Sequence, residues 1–174
     1  TTAIQVCDIG ASPIDYTEFI EILLDKTNSN IIGFEPNKDE FIKLEQSSKK
    51  KFFNYGIGDG KVHNLNICNA PGMTSFLKPN YEYLKLFHKF DEWSKILKVI
   101  PIQTKKLDQI NFDNSLDLIK IDVQGYESEV IKFGNDKIKN SLVIQTETSP
   151  IPLYENGKPF SYVCNQLENL GFNL

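Results

Sequence analysis

Short apolar runs and helically spaced segments take turns along this chain, and that alternation limits the fold more than any other feature. IQVCDI (4–9) is a continuous apolar run with β-branched residues, as suits a strand buried on both faces. NIIGFEP (30–36) is the next strand, stopped by Pro36, and KFFNYGIG (51–58) and VHNLNI (62–67) follow as strand candidates. Pro101 interrupts KVIPIQT (98–104), which places that strand toward an edge or at a bulge. SLDLIKIDV (115–123) reads as the central strand and SLVIQTET (141–148) as the last clear one. Helix signals fill the gaps. Asp15 and Glu18 have capping-box spacing, and Tyr16, Phe19, Ile20, Leu23 and Leu24 then repeat at helical intervals. Asn37 and Glu40 repeat that pattern ahead of Phe41 and Leu44. A short helix from about Tyr126 to Phe133 is ended by Gly134, and SYVCNQLENLGF closes with Tyr162, Val163, Gln166 and Leu167 toward the sheet. Strand–helix repetition with short loops predicts an α/β fold with a doubly wound, mostly parallel, Rossmann-like sheet.

Length and charge narrow the function classes. The chain has 174 residues, enough for a single domain spanning 1–174, and its 40% hydrophobic and 24% charged content is ordinary for a globular protein. A net charge of -4 without long runs of one sign offers no surface for nucleic acid, and Lys49–Lys51 reads as a solvated helix end. Cys7, Cys68 and Cys164 are an odd number with no CxxC, so neither a disulfide framework nor a zinc site is expected. Free thiols fit a reducing, cytoplasmic setting. No apolar stretch approaches the ~20 residues of a membrane span, and the N-terminus has no signal-peptide layout.

Ligands of such sheets bind outside the carboxyl ends of the strands, so the residues at the strand tips matter most. Here they are polar and mostly acidic: Asp8 and Gly10, Glu35, Gly58 and Asp59, Asp122 and Gln124, and Glu147. Each alone is weak evidence, because acidic residues after strands often cap the next helix, but their recurrence at successive tips points to a ligand. Glu35, ending the second strand, is placed to accept hydrogen bonds from both hydroxyls of an adenosine ribose. The first loop, GASPID (10–15), has one Gly and then stops, where a dinucleotide would need G-x-G-x-x-G for its pyrophosphate. GIGDG (56–60) holds a G-x-G but follows the third strand, and no P-loop is present. A phosphate-free adenosine cofactor, S-adenosylmethionine, satisfies these features together.

The combination DIGAS (8–12), GFEPNKDEF (33–41), GIGDG (56–60), KKLD (105–108) and DLIKIDVQGYESEVI (117–131) resembles the FkbM-type family of S-adenosylmethionine-dependent methyltransferases. IKIDVQGYE is its most specific piece. The resemblance implies a class I methyltransferase fold and methyl transfer to a hydroxyl of a sugar, glycolipid or related metabolite. It also implies that Asp8, Gly10 and Ala11 lie against the methionine end of the cofactor, Glu35 holds the ribose, Gly58 and Asp59 border the adenine, and Asp122 points toward the reacting centre. Asp122 is the candidate catalytic base, or orients the acceptor, or caps the turn before the next helix. Glu127 reads as a first-turn helix residue facing the dipole. His63 and His88 have no ligand spacing, and no metal site is predicted.

One departure stands out. Members of the family commonly carry a further Gly near Pro13 or Ile14, and Pro removes a backbone donor. Either the loop takes another shape around the same ligand, or affinity has been lost. Residues 68–97 are a flap over the acceptor or a packed crossover; Met73, Thr74, Ser75, Gln124 and Glu147 are the candidate acceptor contacts, and Trp93 reads as structural. Folds of this class usually end in an antiparallel strand pair, which the stop at Gly171–Leu174 omits or truncates. Both ends are therefore expected to come from something longer, and an open sheet edge would suit a homo-oligomer. A non-catalytic binding module and a nicotinamide-dependent oxidoreductase are the competing readings; the missing glycines argue against the second.

Overall fold

The computed structural model describes residues 3–13 and 18–173. Its strands are β1 (Ile4–Ile9), β2 (Ser29–Phe34), β3 (Lys50–Phe53), β4 (Gly56–Ile57), β5 (Val62–Cys68), β6 (Ile96–Lys105), β7 (Leu118–Ile121) and β8 (Val143–Thr146). Helices are α1 (Glu18–Lys26), α2 (Lys38–Phe41), α3 (Tyr81–Leu84), α4 (Phe90–Trp93), α5 (Glu127–Phe133), α6 (Asn135–Lys139) and α7 (Phe160–Asn169). Five strands form one parallel sheet in the order β3-β2-β1-β7-β8, and β4-β6-β5 form a smaller sheet beside it.

Period-two alternation along the central strands sends side chains into two cores. Val6 and Leu118 point to one face, where Ala11, Ile31, Leu44 and Phe52 join them and Leu23 and Leu24 of α1 cover them. Cys7, Ile9, Ile119 and Ile121 point to the other, against Val130 and Ile131 of α5, Ile138 of α6, and Val163 and Leu167 of α7. Both faces of β1 and β7 are thus covered, which explains why their sequences are mostly apolar instead of alternating, with Gln5, Asp8 and Lys120 as the buried exceptions. Each fully buried Ile or Leu contributes about 1.5–3 kcal/mol, so these two layers supply most of the driving force. A third cluster, Cys68, Met73, Leu84 and Tyr154, anchors the segment between β5 and β6.

KFFNYGIG does not run as one strand. The chain turns after Phe53, where the Tyr55 N–H donates to the Phe53 carbonyl, and the Asn54 side chain donates to the carbonyls of Glu35 and Pro36. β4 then leaves the large sheet and pairs with β6 at Thr104 and Lys105. Pro101 lies inside β6 opposite Asn64 of β5, while β4 meets β6 only further along, so the proline's other side faces no strand among the described residues. The register shift of this hairpin falls instead between Ile67 and Cys68. The first capping pair of the sequence includes Asp15, which, like Tyr16, lies outside the described residues. Trp93 packs on Phe90 with ring centroids 5.4 Å apart and is 40% exposed. Among the described residues no helix is long and apolar enough to cross a membrane.

Candidate functional site

The carboxyl ends of β1, β2 and β7 open into a cleft whose empty space, counted out to open solvent, is about 600 Å³. Gly10, Glu35, Asp122 and Gln124 line it from the strand tips, Gly56 and Ile57 from β4, and Thr74, Ser75 and Phe76 from the segment after β5. Gly10 makes the close approach of the loops after β1 and β7 possible. Its φ is +88°, and a Cβ there would lie 1.8 Å from the Asp122 carbonyl oxygen. The loop is pinned on its other flank too, since the N–H groups of Gly10 and Ala11 both donate to the Phe34 carbonyl. The Ser12 N–H donates to the Gly10 carbonyl at 2.8 Å. The N–H groups of Gly10, Ala11 and Ser12 are therefore all engaged within the protein.

Beneath this loop a charge sits inside the sheet. Lys120 of β7 is register partner to Asp8 of β1, and its Nζ lies 3.4 Å from Asp8 Oδ1 and 3.4 Å from Asp122 Oδ2. Burial works against the Lys120 charge, but the two carboxylates outweigh it and hold the ammonium above its usual range. Asp8 is therefore a buried support for the site, connected to the cleft through Lys120 and Asp122. Ala11 is fully buried in the core on the α1 face and does not line the cleft.

At the tip of β2 the capping pattern differs from the expected one. Asn37 Oδ1 caps α2 by accepting from the Asp39 N–H at 3.1 Å, but the Asn37 N–H donates to Glu35 Oε1 at 2.6 Å instead of to Glu40. Glu40 is thereby released from the capping role. Its Oε1 takes the Lys43 ammonium at 2.7 Å, and its Oε2 has no hydrogen-bond partner among the described residues. Both Glu35 and Glu40 are buried and line the cleft.

Gln124 divides this cleft from a second one of about 410 Å³, lined by Glu127, Glu147, Ser149, Tyr154 and Lys158. It has a positive φ of 55° and is tied on every side. Its Nε2 donates to Asp122 Oδ1 at 3.0 Å and to Glu147 Oε2 at 2.7 Å. Its Oε1 accepts from the Tyr154 hydroxyl at 3.0 Å, and its carbonyl accepts from Ser75 Oγ at 2.7 Å. Glu127 accepts from the N–H groups of Val123 and Gly125 and so shapes the loop after β7; burial raises its pKa against those bonds.

The remaining sequence candidates divide between the two clefts and the core. Ser75 and Thr74 line the first cleft, with Thr74 Oγ1 accepting from the Cys68 N–H. Met73 is buried in the third cluster, and Glu147 faces the second cleft. Gly58 and Asp59 do not line the first cleft: the Gly58 N–H is given to the Lys105 carbonyl, and Asp59 Oδ1 accepts from the Lys61 N–H and lies 2.7 Å from His63 Nε2. Burial raises the Asp59 pKa, but the bonds from His63 and Lys61 outweigh it and lower it overall. Among the described residues no group of three or more His, Cys, Asp or Glu side chains is placed to hold a metal ion.

Lys120, Glu40 and Tyr154 were absent from the sequence candidates. A lysine inside the apolar strand LIKI was a visible signal, since a buried charge needs partners. Glu40 carried no separate signal, because its spacing from Asn37 already suited a cap.

The methyltransferase FkbM domain model matches residues 8–174. The chain is also 34% identical over 178 aligned positions to the 2-O-methyltransferase NoeI of Sinorhizobium fredii (strain NBRC 101917 / NGR234), covering 93% of this chain and 70% of that protein. A crystal structure of the methyltransferase FkbM from Methylobacillus flagellatus KT aligns with a TM-score of 0.46 and 17% identity, over 79% of this chain. This chain spans only 30% of that one's length. With a family match that runs from Asp8 at the tip of β1 to the last residue, the chain belongs to the FkbM methyltransferase family.

Proposed function

We propose that the protein moves a methyl group from S-adenosylmethionine to a hydroxyl oxygen of a sugar or sugar-bearing metabolite. One observation carries the choice of donor. Three carboxylates, Glu35, Glu40 and Asp122, line the first cleft, and no Lys, Arg or His does among the described residues. A pyrophosphate would meet only like charge there, which disfavours a nicotinamide dinucleotide. A phosphate-free ligand bearing a sulfonium and an ammonium fits the same donor set. Glu35 would take the ribose hydroxyls, Phe34, Ile57 and Phe76 would wall the adenine, and Asp122 would face the amino-acid end and the reacting centre.

When bound, the donor supplies a methyl group already activated by positive sulfur. The protein's task is then positioning and removal of one proton. Asp122 is held from two sides, by Lys120 and by Gln124, so its carboxylate is oriented before any ligand arrives. An acceptor hydroxyl coming through the second cleft would meet it beside Gln124. That cleft offers Glu147, Ser149 and Lys158 for the other hydroxyls. The 2-O-methyltransferase relative supports oxygen as the acceptor atom.

The test is transfer of tritiated methyl from S-adenosylmethionine to a panel of methyl glycosides, each lacking one hydroxyl. Label should reach a glycoside with a free 2-hydroxyl and be lost from the matching 2-deoxy compound. Asp122→Asn should lower the rate about a hundredfold or more. Donor binding without transfer to any glycoside would remove the sugar acceptor from this reading.

A further inference from the structure

We propose that Glu40 is a second recognition carboxylate of the donor site, accepting a hydrogen bond from the exocyclic amine of an adenine ring. The inference rests on the donor reading above and adds a residue to it. Glu40 is 5% exposed and borders the cleft, yet among the described residues Oε2 has no hydrogen-bond partner, and it has no contact with solvent. A buried carboxylate oxygen in that state costs folding free energy, and native proteins retain such groups where a ligand completes them.

Elimination points the same way. An adenine amine needs an acceptor at the far end of the cleft from Asp122. Asn37 Oδ1 is engaged by the Asp39 N–H, and Glu35 Oε1 by the Asn37 N–H. Thr74 Oγ1 takes the Cys68 N–H, and Gln124 Oε1 takes the Tyr154 hydroxyl. Asp59, the acid expected beside the adenine, is turned to His63 and lies outside the cleft lining. Glu40 remains, on the same wall as Glu35 because α2 begins directly after the β2 tip. Phe34, Ile57 and Phe76 line the same cleft and would supply apolar walls for a flat heterocycle. Its other partner, Lys43, is 55% exposed, so the carboxylate can re-aim at little cost.

Calorimetric titration with S-adenosylhomocysteine and with S-inosylhomocysteine, whose exocyclic carbonyl oxygen replaces the amine, tests this on wild type, Glu40→Gln and Glu40→Asp. Wild type should prefer the adenosyl ligand by at least about tenfold. Glu40→Gln presents either an amide oxygen or an amide N–H, so that preference should shrink about tenfold, chiefly by gaining inosyl affinity. Glu40→Asp withdraws the carboxylate and should weaken the adenosyl ligand about tenfold; either variant decides the matter if only one folds. Any loss of thermal midpoint in the ligand-free variants should be small, because the one bond at stake, Lys43 to Glu40 Oε1, is to a 55% exposed ammonium. Unchanged affinities and preference in folded variants would overturn the role of Glu40 and leave the donor reading standing. Failure of wild type to bind either ligand would remove both.

Discussion

A side chain on Gly10 would place its Cβ 1.8 Å from the carbonyl oxygen of Asp122. The two loops that carry the site therefore touch through backbone alone, and the closeness depends on the absence of one methyl group. Gly10→Ala adds left-handed strain of about 1–2 kcal/mol to that clash. The variant should lose at least about 3 kcal/mol of stability, read by urea denaturation, or fold with the two tips forced apart and S-adenosylhomocysteine affinity reduced more than tenfold. Wild-type stability and affinity together would show that the crossing is not this close.

Removing the ammonium between Asp8 and Asp122 should be costly in a recognisable way. Lys120→Met leaves the buried Asp8 carboxylate without its counter-ion beside the half-buried Asp122 and should lower stability by about 3–5 kcal/mol at neutral pH. The pH dependence supplies the signature. Because the Lys120 pKa is raised in the folded state, its stabilisation is complete below the unfolded value near 10.5 and is lost as pH rises through the folded value. Denaturation midpoints followed from pH 9 upward should fall in wild type, and the share of that fall due to Lys120 should vanish in Lys120→Met.

Tyr154 links the segment after β5 to the tip of β7. Its hydroxyl reaches the Met73 carbonyl at 3.2 Å and Gln124 Oε1 at 3.0 Å, and burial pushes its pKa far up, so it stays a donor at any working pH. Tyr154→Phe should cost about 1 kcal/mol of stability. Since Gln124 orients Asp122, kcat should fall several-fold while the affinity for S-adenosylhomocysteine stays within twofold. A change in that affinity with kcat intact would place Tyr154 on the donor side instead.

Cys7 and Cys68 should resist alkylation. Burial, with the Asp8 charge beside it, holds the Cys7 thiol well above its usual range, and burial pushes Cys68 to about 11. At pH 8 neither presents appreciable thiolate. Peptide mapping after iodoacetamide treatment should find both unmodified in the folded protein and both labelled in urea. Fast labelling of Cys7 in the native state would mean that β1 opens.

Much of this architecture was legible because burial on both faces leaves a strong mark on sequence. IQVCDI and LIKI read as strands for the reason that they are central: every position faces a core or a neighbour. The break inside KFFNYGIG was not legible, since it depends on Asn54 reaching the carbonyls of Glu35 and Pro36, contacts between segments distant in sequence. The strand tips were found by topology, and Gly10, Glu35, Asp122 and Gln124 do come together. Asp59 was displaced by a partner, His63, on the next strand. Glu40 was hidden behind a capping pattern that its own residues satisfied in a different pairing. Local spacing thus locates the tips of strands well and fails where a side chain chooses between a near partner and a far one.

The most direct test of the donor site is calorimetric titration of the folded protein with S-adenosylhomocysteine, with NAD as the comparison ligand and Glu35→Ala as the control. A cleft lined by acids and, among the described residues, by no basic side chain predicts S-adenosylhomocysteine binding that Glu35→Ala weakens about ten- to a hundredfold, and no NAD binding. NAD binding, or S-adenosylhomocysteine affinity indifferent to the loss of Glu35, would contradict it.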